Sequence, residues 1–189
     1  LNMGRLISLM GLKVTDVPGV TVNRYCASGL ETISIAVAKI RAGMGHCFIA
    51  GGAESMSLIP MTGYKLAPNY NIASTTPDYL VGMGLTAEKV ATQWKISREA
   101  QDAFALQSHQ RALAAQAAGY FDAETTPFEI IDRVPNLATG EIELKTRTVN
   151  RDEGARPDTS LEGLAKLKAV FAAKGSVTAG NSSQTSDGA

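Results

Sequence analysis

The chain has little of what metal sites, disulfide frameworks or charge-driven binding require. Among 189 residues only two are cysteine and two are histidine. Cys26 and Cys47 cannot build the framework that holds small secreted domains. With His46 and His109 they show no ligand spacing, so no metal is expected, and neighbours such as His46 and Cys47 point to opposite faces of a strand. Neither sign of charge is in excess: 18 basic and 18 acidic side chains give a formal net charge of zero. That balance excludes a nucleic-acid partner held by bulk charge. No apolar run approaches bilayer length, so no membrane span is expected, and the first residues show no basic region followed by an apolar core. Repeats and low-complexity tracts are missing as well.

What is present is a globular balance, with 44% hydrophobic and 19% charged residues. That suffices for a real core. The first residue is Leu1, and Ala189 follows directly on the turn-like run Asn181–Gly188. This reads as a fragment of a longer protein.

The hydrophobic pattern changes period along the chain. Val20-Thr21-Val22, after Pro18-Gly19, reads as a short buried strand. Leu30, Ile33, Val37 and Ile40 recur every three or four residues, which predicts a helix from about Ser28 to Ala42, ended by Gly43. Cys47-Phe48-Ile49-Ala50, closed by Gly51-Gly52, reads as a second buried strand and completes a βαβ unit. From Ser55 to about Pro77 the pattern dissolves into a long irregular segment. Thr86 reads as the N-cap of a helix reaching Lys95, and Ser97 as the cap of another with Glu99 in its first turn and Gly119 at its end. Residues 128–149 alternate as two strands around a Thr139-Gly140 turn. Residues 161–173 read as helical. Between Lys145 and Lys174 the basic residues exceed the acidic ones by about three, which fits either a solvated face or a local site for an anionic ligand.

Cys26 stands out on physical grounds. It lies in Asn23-Arg24-Tyr25-Cys26-Ala27-Ser28-Gly29-Leu30, where the first strand would hand over to the helix. The free N–H groups and positive dipole end of a helix start favour a thiolate there. The small residues after it allow close approach, and its own N–H could meet an oxyanion on an attached acyl group. A buried structural cysteine is the competing reading. Cys47, inside an apolar strand, reads as a core residue. An acyl-transfer cysteine needs a base, and nothing here supplies one: His109 reads as an exposed residue on a polar helix. Ala50-Gly51-Gly52-Ala53-Glu54-Ser55 fits neither a dinucleotide fingerprint nor a phosphate loop.

Read together, these segments resemble the thiolases. The nucleophile motif of that family is matched by Val22–Leu30, and its following strand by Ala50–Ser57. Further matches are Met83–Glu88, Ser97–Asp102, Asp152–Pro157, Glu162–Lys168 and Thr178–Ser183, in order and over essentially the whole chain. The resemblance implies an α/β chain of the thiolase fold, layered α-β-α-β-α. Only part of the N-terminal half and its α/β insertion (loop) domain would be present, with the C-terminal half missing. On that map residues 1–55 are the later part of the N-terminal half. Residues 56–184 are the insertion with CoA and oligomer contacts, and 185–189 return to the N-terminal half.

The resemblance also implies an activity: a 3-ketoacyl-CoA is cleaved by CoA to acetyl-CoA and a shortened acyl-CoA through a cysteine acyl-enzyme. Cys26 would be the nucleophile. Met83 would line the acyl and pantetheine pocket, Arg156 would meet the nucleotide end of CoA, and Ser183 would bond the pantetheine arm. No cofactor is implied beyond CoA and acyl-CoA as substrates, and the full-length protein would be a homodimer or homotetramer. Gly82 stands where acetoacetyl-type members often have histidine, and Ser182-Ser183-Gln184 replaces their Ala-Ser-Gly. Both lean towards fatty-acid β-oxidation rather than biosynthetic acetyl-CoA acetyltransferase. A non-catalytic thiolase-like module is the alternative of another class. The family's base histidine and second cysteine would fall beyond residue 189, so these 189 residues alone should be inactive. Localisation stays open, cytoplasmic in a bacterium and peroxisomal or mitochondrial in a eukaryote.

Overall fold

Side-chain acceptors set the starts of four helices, at Asn2, Asn69, Ser97 and Ser160, while two others start at Ala27 and Gly82 without one. The structure is a computed structural model and describes residues 2–189. Leu1, where the first expected segment begins, lies outside them. The chain divides into two units, Leu1–Leu66 with Thr185–Ala189, and Ala67–Gln184.

In the first unit, Asn2 caps helix α1 (Met3–Leu12) by accepting from the Arg5 amide. Sequence reading missed this helix. The segment after it is tied back by side chains: the Arg5 guanidinium donates to Val17 O at 2.6 Å and Thr15 O at 2.9 Å, and Ser8 Oγ donates to Val17 O at 2.7 Å. Thr21 Oγ1 accepts from the Gly4 amide at 2.8 Å and donates to Asn2 Oδ1 at 2.9 Å. Val20–Val22 is not a strand, contrary to expectation: it has no ladder partner among the described residues, and only the Thr21 hydroxyl ties it to the start of α1.

Helix α2 (Ser28–Arg41) lies where the apolar period predicts it. Glu31 in its first turn and Lys39 and Arg41 in its last complement the dipole. Gly43 takes φ 71° just past its end, and the Met44 amide returns to Lys39 O at 2.9 Å. Cys47–Ala50 joins no strand among the described residues, so the expected second strand and βαβ unit do not form there. Cys47 is exposed rather than in a core, because no layer covers this segment. Strand β1 (Glu54–Ser55) is short; its partner, β4 (Asp187–Gly188), comes from the chain end and pairs antiparallel, Glu54 opposite Gly188. The Asp187 carboxylate accepts from the Ser57 hydroxyl and, at 2.8 Å, from the Ser57 amide, and these bonds, the hydroxyl's foremost, hold it below the ordinary carboxylate range.

The second unit begins within the stretch expected to be irregular. It holds a short helix α3 (Tyr70–Thr75), capped by Asn69, and a 3₁₀ turn at Pro77–Leu80. Helix α4 (Met83–Gln93) starts four residues earlier than expected, with Gly82 rather than Thr86 as N-cap. Thr86 sits inside it and bonds back to Gly82 O at 3.4 Å. Helix α5 (Arg98–Ala117) is capped by Ser97 as predicted, its hydroxyl accepting from the Ala100 amide at 3.2 Å. Strands β2 (Phe128–Pro135) and β3 (Ile142–Val149) form the expected hairpin, Phe128 opposite Val149 and Pro135 opposite Ile142. Its turn rests on Asn136, whose Oδ1 accepts from the Ala138 and Thr139 amides, and on Gly140 at φ 73°.

Helix α6 (Leu161–Ala165) is shorter than the expected 161–173. Arg98 stops it by donating to Leu164 O at 2.6 Å and Leu167 O at 3.0 Å, and the chain then folds back as Ala169 bridges Thr178. Among the described residues the buried apolar ones are Ala91 on α4, Leu164 on α6, and Val177. Among the described residues no helix is long and apolar enough to cross a membrane.

Candidate active site

Cys26 sits on a tightly braced bend. Tyr25 adopts φ 50°, a left-handed conformation uncommon for a non-glycine residue, and turns the chain sharply just before the cysteine. Three side chains hold that bend. Asn23 Oδ1 accepts from the Tyr25 amide at 2.9 Å. Ser28 Oγ accepts from the Arg24 amide at 2.8 Å and donates to Tyr25 O at 2.6 Å. The Arg24 guanidinium pairs with Glu31 one turn into α2. Ala27 is the N-cap of α2 and contributes no side-chain hydrogen bond. Cys26 therefore stands one residue outside a helix start that no side chain caps, where the helix dipole favours an anion. The thiol is exposed, and the space where a Cβ on Gly29 would go is open. An exposed thiol at such a bend can attack a carbonyl and hold the acyl group as a thioester.

The three expected CoA-contact residues all fall in the Ala67–Gln184 unit. Met83 begins α4 and lines an open concavity of about 420 Å³ with Thr86, Ala87, Val90, Ala91, Ile96 and Gln101. That lining is mostly apolar, as an acyl or pantetheine chain requires. The Phe171 ring lies against Gly84, where a Cβ would collide with it.

Arg156 is exposed on a loop. Its guanidinium forks onto Asp158 at 3.1 and 3.3 Å, which raises the arginine further and holds the Asp158 carboxyl below its usual range. A phosphate arriving at Arg156 would have to share it with Asp158. The Arg156 amide donates to His109 Nδ1 at 3.1 Å. His109 is thus half-buried and structural, not the free surface residue expected, because this loop packs over α5. Ser183 is exposed, its hydroxyl donating to Gln184 O at 3.3 Å. The Gln184 amide lies against Gly154, two residues before Arg156. The structure therefore brings the Arg156 loop and the Ser183 segment together.

Sequence reading missed the polar residues that hold these parts. Glu88, Gln101, Asp102 and Asn181 form one network around residues 176–181. Arg98 and Asp102, spaced i and i+4 on one helix, were the visible signal. Among the described residues no three metal-ligating side chains gather.

Comparison with known proteins identifies the family. The model of the thiolase N-terminal domain matches residues 4–189. A 3-ketoacyl-CoA thiolase of Bacillus subtilis is 49% identical over the whole of this chain and 48% of its own length. Among solved structures, an acetyl-CoA acetyltransferase of Bacillus anthracis superposes with TM-score 0.79 at 34% identity, covering 98% of this chain and 48% of that one. The dimeric peroxisomal thiolase of Saccharomyces cerevisiae follows with TM-score 0.78 at 33% identity, over 97% of this chain and 44% of that one. The chain spans about half the length of the relatives it matches. With its partial thiolase fold and its match to the N-terminal domain along nearly every residue, the chain belongs to the thiolase family.

Proposed function

We propose that the protein containing this chain is a 3-ketoacyl-CoA thiolase, an acetyl-CoA C-acyltransferase of β-oxidation. Cys26 as thiolate attacks the C3 ketone. The C2–C3 bond breaks, the acyl group stays on sulfur as a thioester, and the C2 carbanion takes a proton to leave as acetyl-CoA. The thiolate of a second CoA then attacks the thioester and releases the shortened acyl-CoA and the Cys26 thiolate. Met83 lines the path of the acyl and pantetheine chain, Arg156 meets the nucleotide phosphates, and Ser183 bonds the pantetheine arm. Residues 56–184 serve as the insertion that carries these CoA contacts and the oligomer contacts of a homodimer or homotetramer.

The observation that carries this reading is the braced bend at Tyr25, which puts an exposed thiol at an uncapped helix start. In the full-length protein, iodoacetamide is expected to label Cys26 and acyl-CoA to protect it. Labelling that acyl-CoA leaves unchanged would sink the assignment. The structural likeness to the Bacillus anthracis acetyl-CoA acetyltransferase favours a second reading, the biosynthetic enzyme. Kinetics against chain length separates the two: turnover confined to four-carbon substrates refutes the degradative assignment.

A further inference from the structure

Two polar residues are buried in the described chain, Asp102 at 4% exposure and Thr178 at 0%. Both belong to one network that nothing in the proposed chemistry uses. Buried carboxylates are costly unless paired, and Asp102 is paired twice. Arg98 Nε donates to one oxygen at 2.8 Å and Asn181 Nδ2 to the other at 2.9 Å. Asn181 then closes a loop on itself: its Nδ2 also donates to Ser176 O at 3.0 Å, and its Oδ1 accepts from the Thr178 amide at 2.7 Å.

From α4, the Glu88 carboxylate takes the near end of the same segment. It accepts from the Ser176 amide at 3.0 Å, the Val177 amide at 2.9 Å and the Ser176 hydroxyl at 3.2 Å. Gln101 Nε2 donates to that hydroxyl at 2.9 Å. Gly175 passes so close that a Cβ would collide with Glu88, and a Cβ on Gly180 would collide with Leu164 and Leu167. The segment is thus fixed through its own amides from α4 and through Asn181 from α5. Ser183 follows two residues later.

We propose that Glu88 and Asp102 are positioning residues for CoA: by holding residues 176–181 rigid they set where the Ser183 hydroxyl stands. The proposal rests on the reading that Ser183 bonds the pantetheine arm. It uses chain-specific contacts between α4, α5 and the segment, all within the Ala67–Gln184 unit.

The test is steady-state thiolysis by the full-length protein with CoA varied, for Ser183→Ala, Glu88→Gln, Asp102→Asn and the double variant Glu88→Gln/Ser183→Ala. Each carboxylate variant keeps shape and removes charge. CoA KM is expected to rise in Glu88→Gln by up to about tenfold, no more than the worth of the one Ser183 hydrogen bond that it positions. Its kcat is expected to change little. The double variant is expected to show no higher KM than Ser183→Ala alone, since both act through one hydroxyl. Ser176→Ala, which removes only the hydroxyl between Gln101 and Glu88, gives a smaller rise and remains testable if Asp102→Asn does not fold. An unchanged KM in Ser183→Ala overturns the reading of Ser183. A raised KM there beside unchanged values in Glu88→Gln and Ser176→Ala, with melting temperatures lowered, overturns the positioning role alone and leaves a purely structural latch.

Discussion

Among the described residues, the five buried side chains, Ala91, Asp102, Leu164, Val177 and Thr178, all lie in the Ala67–Gln184 unit, whereas α1 and α2 of the other unit bury none. The apolar stripe of α2 shows the contrast most clearly, with Leu30 at 73% and Val37 at 43% exposure. The unit that carries Met83, Arg156 and Ser183 makes a small core of its own, closed by the carboxylates of Glu88 and Asp102. The unit that carries Cys26 is held by local hydrogen bonds at a bend and by side chains tied back to α1. The proposed binding residues and the proposed nucleophile therefore depend on different physics: long-range packing in one case, short-range bracing in the other.

The largest expected effect separates the two cysteines. Both are exposed, but only Cys26 stands on the braced bend. In the full-length protein, Cys26→Ala is expected to lose thiolysis by about 10⁴-fold or more, the scale of removing a covalent nucleophile. Cys47→Ala is expected to retain it. Equal losses in the two variants would break the distinction drawn from the bend.

Packing provides the next effect. Leu164→Ala removes a buried side chain and is expected to cost about 2–4 kcal/mol. Val37→Ala, on the exposed stripe, is expected to cost under about 1 kcal/mol in the same 189-residue chain. Urea unfolding with amide exchange at Val177 and along α2 reads both. A cost at Val37 matching that at Leu164 would show that α2 has a covering layer after all.

A smaller effect concerns the bend. Ser28→Ala removes the hydroxyl that bridges the Arg24 amide and Tyr25 O. In the full-length protein kcat is expected to fall about tenfold through misplacement of Cys26, with CoA KM little changed. Ser28→Thr keeps the hydroxyl and should restore most of the rate.

Much of this was legible in the chain. The 3.6-residue period of Leu30, Ile33, Val37 and Ile40 located α2, Ser97 and Glu99 located the start of α5, and alternation around Gly140 located the hairpin. These signals are local, and local structure honours them. The two buried strands failed because an apolar β-branched run says only that a segment wants a neighbour. Neither Val20–Val22, tied to the start of α1 only through the Thr21 hydroxyl, nor Cys47–Ala50 has a ladder partner among the described residues. Helix α6 ended early for a reason 66 residues away in sequence, the Arg98 guanidinium on Leu164 O. Cys26, the proposed nucleophile, stands out in the sequence through the motif it shares with the thiolases. The Glu88 and Asp102 network does not, because it exists only once α4, α5 and residues 176–181 meet.

The smallest effect is a pH dependence confined to that network. Burial pushes the Glu88 carboxyl up, but the amides of Ser176 and Val177 and the Ser176 hydroxyl together outweigh it and hold the group below its ordinary value. A carboxyl lowered by folding contributes stability above its unfolded pKa, about 4.3. That contribution is lost as pH falls through the lower folded value. Amide exchange at Ser176 and Val177, followed from pH 6 to pH 3 after correction for intrinsic rates, should therefore show protection falling only below about pH 4.3. Glu88→Gln should start with weaker protection and lack this acid step, while the amides of α2 serve as the internal reference. An acid step of equal size in Glu88→Gln would show that another group governs the loosening, and that the Ala67–Gln184 unit is not held closed by this carboxylate.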